Sequence, residues 1–270
     1  MKLALGKIGE FVAAGALSPF GFDPQAVAQG YSIDSRTLKP GELFFAVKGE
    51  RHDGHDFVDD ALARGAVAAL VSRPVALHQA PHGALVTVDD TIAALGRVAH
   101  RIRVDQPGLD VVAVTGSTGK TSTKDLLHGI LVGAGRVAHA NPESYNNEFG
   151  LPITLLNMPP TAGVVVTEMG ERFPGDIAAL CAIAVPTVGV VTNVGLAHAE
   201  YLGGPEGAAR AMAGGSMPGF VQKVRSSAEM VASMSTSGSS SNAGSRATPA
   251  GSSRSASRHP RPGRASRCSM

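Results

Sequence analysis

From Val111 to Ser122 the chain reads Val-Val-Ala-Val-Thr-Gly-Ser-Thr-Gly-Lys-Thr-Ser, an apolar run that breaks into a turn of small residues and then opens on a lysine and hydroxyls. Few folds accommodate that order. An apolar strand leading through glycines straight into a helix is the unit of a parallel sheet, whose neighbours cannot be joined by a tight hairpin. Small side chains let backbone N–H groups close around phosphate oxygens at a helix start, where the dipole also favours an anion. Lys120 then supplies a cation to the β- and γ-phosphates and Thr121 a hydroxyl to Mg²⁺. Gly116, Ser117, Thr118, Gly119, Lys120, Thr121 and Ser122 thus form a candidate cradle for ATP or GTP. The usual form of this loop has another glycine five positions before Gly119. Here that position is Val114. The plain alternative is a tight strand-to-helix turn that ends on a surface lysine.

Around this loop the pattern is α/β. Long apolar runs at residues 110–115, 163–168 and 187–192, with a shorter one near 136–140, read as strands of a parallel sheet buried on both faces. Helices at 121–133 and 176–184 separate them. The preceding residues give a helical start, strands at 42–47, 67–71 and 84–88, and helices at 57–64 and 91–103. The turn Gln106-Pro107-Gly108 marks a boundary. The expected organisation is a small domain over 1–107, an incomplete phosphate-loop sheet domain over 108–212, and a tail over 213–270.

The tail differs in kind. Sixteen of its 58 residues are Ser, and it carries eight Lys or Arg against the single acid Glu229. So few large apolar groups cannot offset the entropy of ordering a chain, so disorder is expected there. Removing that +7 from the formal total of +2 leaves an acidic body, with no general attraction for polyanions. Aromatics make up 4% and Trp is absent, which argues against a base-stacking nucleic-acid surface. Cys181 and Cys268 show no metal or disulfide spacing. No run of about 18 apolar residues suggests a membrane span. A soluble, cytoplasmic, monomeric protein is expected.

Several segments together resemble one family. Thr115 to Thr121 is similar to the short phosphate loop of the Mur ligases, which join amino acids or dipeptides to UDP-linked muramyl precursors. Ser32-Ile33-Asp34-Ser35-Arg36, Gly41 to Ala46 and Gly49 to Phe57 resemble the UDP-substrate domain of two branches of it. Asn146-Asn147-Glu148-Phe149-Gly150-Leu151-Pro152 and Glu168-Met169-Gly170 resemble the branch that adds D-alanyl-D-alanine. The branch adding the third residue to the UDP-N-acetylmuramoyl-dipeptide is the alternative. The resemblance covers residues 30–211. It implies ATP and Mg²⁺, with UDP-N-acetylmuramoyl-tripeptide and D-alanyl-D-alanine as substrates joined through an acyl phosphate.

By the same resemblance, Lys120 serves the phosphates, and Thr121, Glu168 and His198 serve the metal. Asp34, Ser35 and Arg36 hold the uridine diphosphate, for which Arg has the bidentate geometry. Ser144, Asn146 and Asn147 serve the sugar-peptide part. Each has a bland alternative: a strand-end acid for Glu168, a capping histidine for His198, polar turns for 34–36, and caps of a helix begun by Glu148 for the asparagines. His52, Asp53 and His55 are closely spaced, but their Gly-containing loop matches uracil and ribose contacts, so a metal site is rejected.

After His198 the family carries a helix with a lysine that becomes carbamylated. Here the helix from Pro205 runs into Met212-Ala213-Gly214-Gly215. The later strands and the third domain have no counterpart, as an out-of-frame tail would produce. The expectations are an open sheet edge prone to self-association, weak ligand binding and negligible ligation. A catalytically dead precursor-binding module is a second reading. A generic phosphate-loop kinase or GTPase is a third, weakened by the lack of an Asp ending the 163–168 strand.

Overall fold

The structure is a computed structural model that describes residues 1–12, 16–17, 22–80, 83–142 and 145–193. Chain order begins with β1 (Leu3–Ala4), α1 (Leu5–Val12), β2 (Ala16–Leu17), β3 (Val27–Ala28), β4 (Gly30–Ser32) and β5 (Glu42–Phe45). It continues with α2 (Val58–Ala63), β6 (Ala68–Val71), β7 (Leu85–Thr87) and α3 (Thr91–Val104). Past the Gln106-Pro107-Gly108 turn come β8 (Asp110–Thr115), α4 (Lys120–Gly133), β9 (Ala138–Ala140), α5 (Gly150–Leu156), β10 (Val164–Glu168), α6 (Asp176–Ala184) and β11 (Val188–Val191).

The first sheet has the order β2-β7-β6-β5-β4, parallel except for β2, which runs antiparallel to β7. β1 and β3 form a separate antiparallel pair. The second sheet is wholly parallel, in the order β11-β8-β10-β9. Its centre is β10, Val-Val-Val-Thr-Glu, buried at every position. A β-branched run of this kind suits a strand covered on both faces. One cover is α4, whose Leu127 and Leu131 pack on Val114, Val164 and Val166. The other cover is α5 and α6, which also contact α3. From β8 the chain crosses to β9 on one side, and from β10 it crosses to β11 on the other. That reversal leaves a crevice beyond the carboxyl ends of β8 and β10.

The expected strands and helices are present to within a few residues. The additions are β1 to β4, too short and glycine-interrupted to show a period, and α5, which begins at Gly150 rather than Glu148. The two sheets lie on either side of residue 107, yet one apolar core runs through both. It joins Leu5, Phe45, Leu70 and Val86 to Leu95, Ile102, Leu155, Val165 and Leu180. The shared element is α3, which Asp90 caps by accepting the amides of Ile92 and Ala93 at 2.7 and 2.9 Å. Asn157 ties the halves again: its side-chain amide accepts from Tyr31 N at 3.0 Å and donates to Tyr31 O at 2.8 Å. Residues 143–144 and everything from 194 onward lie outside the described residues, so the expectations for Ser144, His198 and the tail are not addressed by this structure. Among the described residues, no helix is long and apolar enough to cross a membrane.

At the far end of α3, buried Arg103 donates from Nε to Ala184 O at 3.0 Å, from Nη2 to Val185 O at 3.0 Å and from Nη1 to Gln106 O at 3.1 Å. It satisfies the last carbonyls of α6 with a cation, where the helix dipole favours one. Val185 has φ 42°, the left-handed region that costs a β-branched residue about 1–2 kcal/mol. Arg103→Ala should lower unfolding free energy by about 3 kcal/mol in urea titrations, because it strips charge-assisted bonds from buried carbonyls. Val185→Gly should move the midpoint the other way, by up to about 1 kcal/mol.

Candidate functional site

β8 ends at Thr115, and the chain turns through Gly116 at φ 134° and Gly119 at φ 77°, both in the region that favours glycine. A side chain on Gly116 would run into Thr192 Oγ1 and the backbone of Asn193. Val114, where longer phosphate loops have a glycine, is instead a buried strand residue paired with β10 and β11. The strand simply runs further before the loop begins. Thr123 N donates to Gly119 O, so the amides of Lys120, Thr121 and Ser122 have no partner within α4. The amides of Ser117 and Thr118 are taken. Ser117 N donates to Asn193 O and Thr118 N to Asn193 Oδ1, both at 3.0 Å, while Asn193 Nδ2 donates to Thr118 Oγ1 and Thr192 Oγ1 to Thr118 O, both at 2.6 Å. Lys120 Nζ folds back to donate to Gly116 O at 2.7 Å.

Across the crevice, Glu168 ends β10 and is only 5% exposed. Thr121 Oγ1 donates to its Oε2 at 2.7 Å, and Asn146 Nδ2 donates to its Oε1 at 2.9 Å. Its backbone N donates to Asn141 Oδ1 at 2.8 Å, and Asn141 O in turn accepts Lys124 Nζ at 2.8 Å. The fold therefore brings Lys120, Thr121, Asn146 and Glu168 together at the carboxyl edge of the sheet. The Thr121 hydroxyl and Glu168 carboxylate lie about as far apart as neighbouring oxygens on an octahedral Mg²⁺, ~3 Å for metal–oxygen bonds of 2.0–2.1 Å. Both are hard oxygen donors and fit that ion. Among the described residues no trio of His, Cys, Asp or Glu converges on a metal, so most of the coordination sphere is left to ligand oxygens and water.

Two of these residues, Lys120 and Asn146, also line a cleft of about 570 Å³ together with Asn147, Glu148, Glu171 and Arg172. Arg172 donates to Glu148 at 2.9 Å and approaches Glu50 at 3.4 Å. Asn147 Oδ1 accepts the amides of Phe149 and Gly150 at 3.2 and 3.0 Å, which is the capping job open to it from sequence. The carboxyl of Glu171 is pushed up to about 7, first by burial and then by the nearby Asp176, with Lys120 opposing.

A second cleft of about 580 Å³ is lined by Asp34, Ser35, Arg36, His52, Phe57, Tyr145 and Phe149. Phe44 also lines it, and His52 lies edge-on to Phe57 at 6.3 Å. Arg36 is 84% exposed and forks onto Asp34, at 2.9 Å from Nε and 2.7 Å from Nη2. That hydrogen bond holds the Asp34 carboxyl below its usual range. Asp53, His55 and Ser72 line up like a nucleophile triad, with His55 Nδ1 2.6 Å from Asp53 and Nε2 3.2 Å from Ser72 Oγ. The Nε2 lone pair, however, already accepts the Ser72 backbone N–H at 2.9 Å, so the imidazole is a structural bridge between the loop and β6. Both clefts share the segment 145–149, Tyr145 and Phe149 facing one and Asn146 to Glu148 the other.

Two family models match this chain: the Mur ligase family catalytic domain over residues 27–103 and the Mur ligase middle domain over residues 114–214. The chain belongs to the Mur ligase family. Among its relatives, the UDP-N-acetylmuramoyl-tripeptide–D-alanyl-D-alanine ligase of Bacillus subtilis is 42% identical over 69% of this chain and 40% of its own length. The Mycobacterium leprae enzyme of the same name is 41% identical over 78% and 44%. The crystal structure of MurF from Acinetobacter baumannii superposes with a TM-score of 0.71 at 31% identity, covering 79% of this chain and 46% of that one. MurF ligase from Thermotoga maritima in complex with ADP gives 0.61 at 37% identity, over 68% and 42%. This Mur ligase chain spans less than half the length of the relatives it matches.

Sequence reading of this Mur ligase missed Asn141, Lys124, Thr192 and Asn193. The available signal was position: Asn141 follows β9 and Thr192 and Asn193 follow β11, the strand ends that border an α/β crevice. Glu171 carries the pH-dependence. Its folded acidity lies above the usual value of 4.5, so between about 4.5 and about 7 the folded chain holds a proton that the unfolded chain has lost. The contribution of Glu171 to stability is therefore lost as pH rises through that window. Glu171→Gln should gain little over wild type at about pH 5 and clearly more at about pH 8, read by urea denaturation.

Proposed function

We propose that this chain carries the precursor-binding and nucleotide-binding parts of an ATP-dependent ligase that adds D-alanyl-D-alanine to UDP-N-acetylmuramoyl-tripeptide. Residues 1–107 bind the UDP end and residues 108–212 the nucleotide. The observation that carries this reading is the contact of Thr121 with Glu168 beside Lys120, which lines a cleft that residues 145–149 share, on their other side, with the aromatic cleft of Asp34, Ser35 and Arg36. A long ligand anchored by a uracil-like ring among His52, Phe57, Tyr145 and Phe149 runs along that segment and presents its far carboxylate near Lys120.

The chemical difficulty is charge. A carboxylate has to approach a polyanionic triphosphate, so cations must sit between them, and fixed positioning supplies most of the rest. Lys120 swings from Gly116 O onto the phosphates, and the open amides at the start of α4 receive their oxygens. Ser117 and Thr118 take part once Asn193 releases them. Mg²⁺, when bound, spreads the developing charge, and Thr121, Glu168 and, by the family resemblance, His198 hold it. Asn146 holds the Glu168 carboxylate, and Asn141 fixes the backbone that carries it. Mutual association of two anions is thereby replaced by association of each with a fixed cation.

Isothermal titration of the 270-residue chain with MgADP and, separately, with UDP-N-acetylmuramoyl-tripeptide tests both halves of the proposal. Both ligands should bind. Lys120→Ala should weaken MgADP by about tenfold or more while leaving the precursor unchanged, and Arg36→Ala should do the reverse. Precursor binding without any nucleotide binding favours a binding module over a ligase, and failure of both ligands overturns the assignment.

A further inference from the structure

Every charged or amide side chain around the 570 Å³ cleft has a partner except one. Glu168 is held by Thr121 and Asn146. Glu148 accepts Arg172, and Asp176 Oδ2 accepts the amides of Arg172 and Phe173 at 2.8 and 2.9 Å. Asn147 caps α5, and Lys120 is on Gly116 O. Glu171 is 8% exposed, yet among the described residues neither of its carboxylate oxygens has a hydrogen-bond donor. A desolvated carboxyl without a donor is costly and unusual. The neighbouring cations are already engaged, Lys120 on the loop and Arg172 on Glu148 and Glu50. The donor that completes Glu171 is therefore one a ligand brings.

We propose that Glu171 is the receptor for a primary ammonium group entering the cleft, the amine that is to be joined to the activated carboxylate. This rests on the ligase reading for the identity of the amine, but not for the existence of the site. A metal ion fits less well, because no trio of ligating side chains converges among the described residues. A compact ammonium needs only one carboxylate and a rotation of the Glu171 side chain into the cleft it lines. Lys120 and Glu171 then give the cleft two poles, which sort an anionic reactant to one side and a cationic one to the other.

The pairing also readies the nucleophile. The ammonium N–H bond breaks and a carboxyl O–H bond forms, converting R–NH₃⁺ and carboxylate into R–NH₂ and carboxylic acid, and nitrogen keeps its electron pair. An acceptor near neutrality suits that exchange, and Glu171 lies at about 7. The charged groups facing it are Asp176 on α6 and Lys120 at the start of α4, which act in opposite senses, with Arg172 and Glu148 at the rim of the cleft.

The test is ligand-observed NMR on the full 270-residue chain at about pH 8, with and without MgADP. The probes are D-alanyl-D-alanine, its N-acetyl derivative and Nα-acetyl-lysine amide. The free dipeptide should bind about tenfold or more tightly than the N-acetyl form, and Glu171→Gln should abolish that preference while MgADP affinity stays unchanged. In the wild type, dipeptide binding should weaken as pH falls below about 7, which needs no variant to fold. Stronger binding of the lysine amide than of the dipeptide keeps the ammonium site and assigns it to a precursor side chain. Dipeptide binding with no MgADP binding sinks the ligase reading and leaves the site standing. Equal binding of free and acetylated dipeptide, or an unchanged preference in Glu171→Gln, overturns the proposal.

Discussion

Glu168 is the point at which the fold and the candidate chemistry meet. A carboxylate 5% exposed at the end of a central strand is tolerable only when its oxygens are occupied, and here they accept from Thr121 and Asn146. Those two residues come from opposite sides of the crevice, one from the first turn of α4 and the other from the segment before α5. The strand end is fixed in turn by Asn141, which ties β9 to β10 and receives buried Lys124. Loss of any member leaves a buried polar group unpaired, so the cluster holds its geometry as a unit.

That cluster explains why the crevice is where it is. The β8-to-β9 and β10-to-β11 crossovers leave in opposite directions, so helix starts and strand ends face one another at the carboxyl edge of the sheet. Glycine at 116 lets the phosphate loop lie against Thr192 and Asn193. In this state the asparagine occupies donors that an anion would otherwise claim. The loop is thus held in shape by the protein's own oxygens, and ligand entry exchanges one set of acceptors for another.

Much of this was legible in the residues and some was not. The strands of the second sheet and α4 could be read because long apolar runs and a glycine-lysine-threonine turn carry strong local signals. β3 and β4 could not, since two- and three-residue strands have no measurable period and exist only through their neighbours. Lys120, Thr121 and Glu168 were readable from motif and resemblance. Asn141 and Asn193 were not, because an asparagine after a strand looks the same whether it ends a turn or ties down a neighbouring strand end or loop. Glu171 belongs to no motif, and only its burial in the folded chain shows that it lacks a donor.

Asn157 has an implication for how the molecule stays a single sheet-bearing unit rather than a template for growth. Its side-chain amide carries the same donor and acceptor as a peptide group, and it sits on Tyr31 where the next strand would dock. The rim of β4 is closed by a counterfeit peptide carried at the end of α5, and the first sheet stops at five strands. Since that amide follows α5, the same two bonds that end one sheet also anchor the helix of the other half to it.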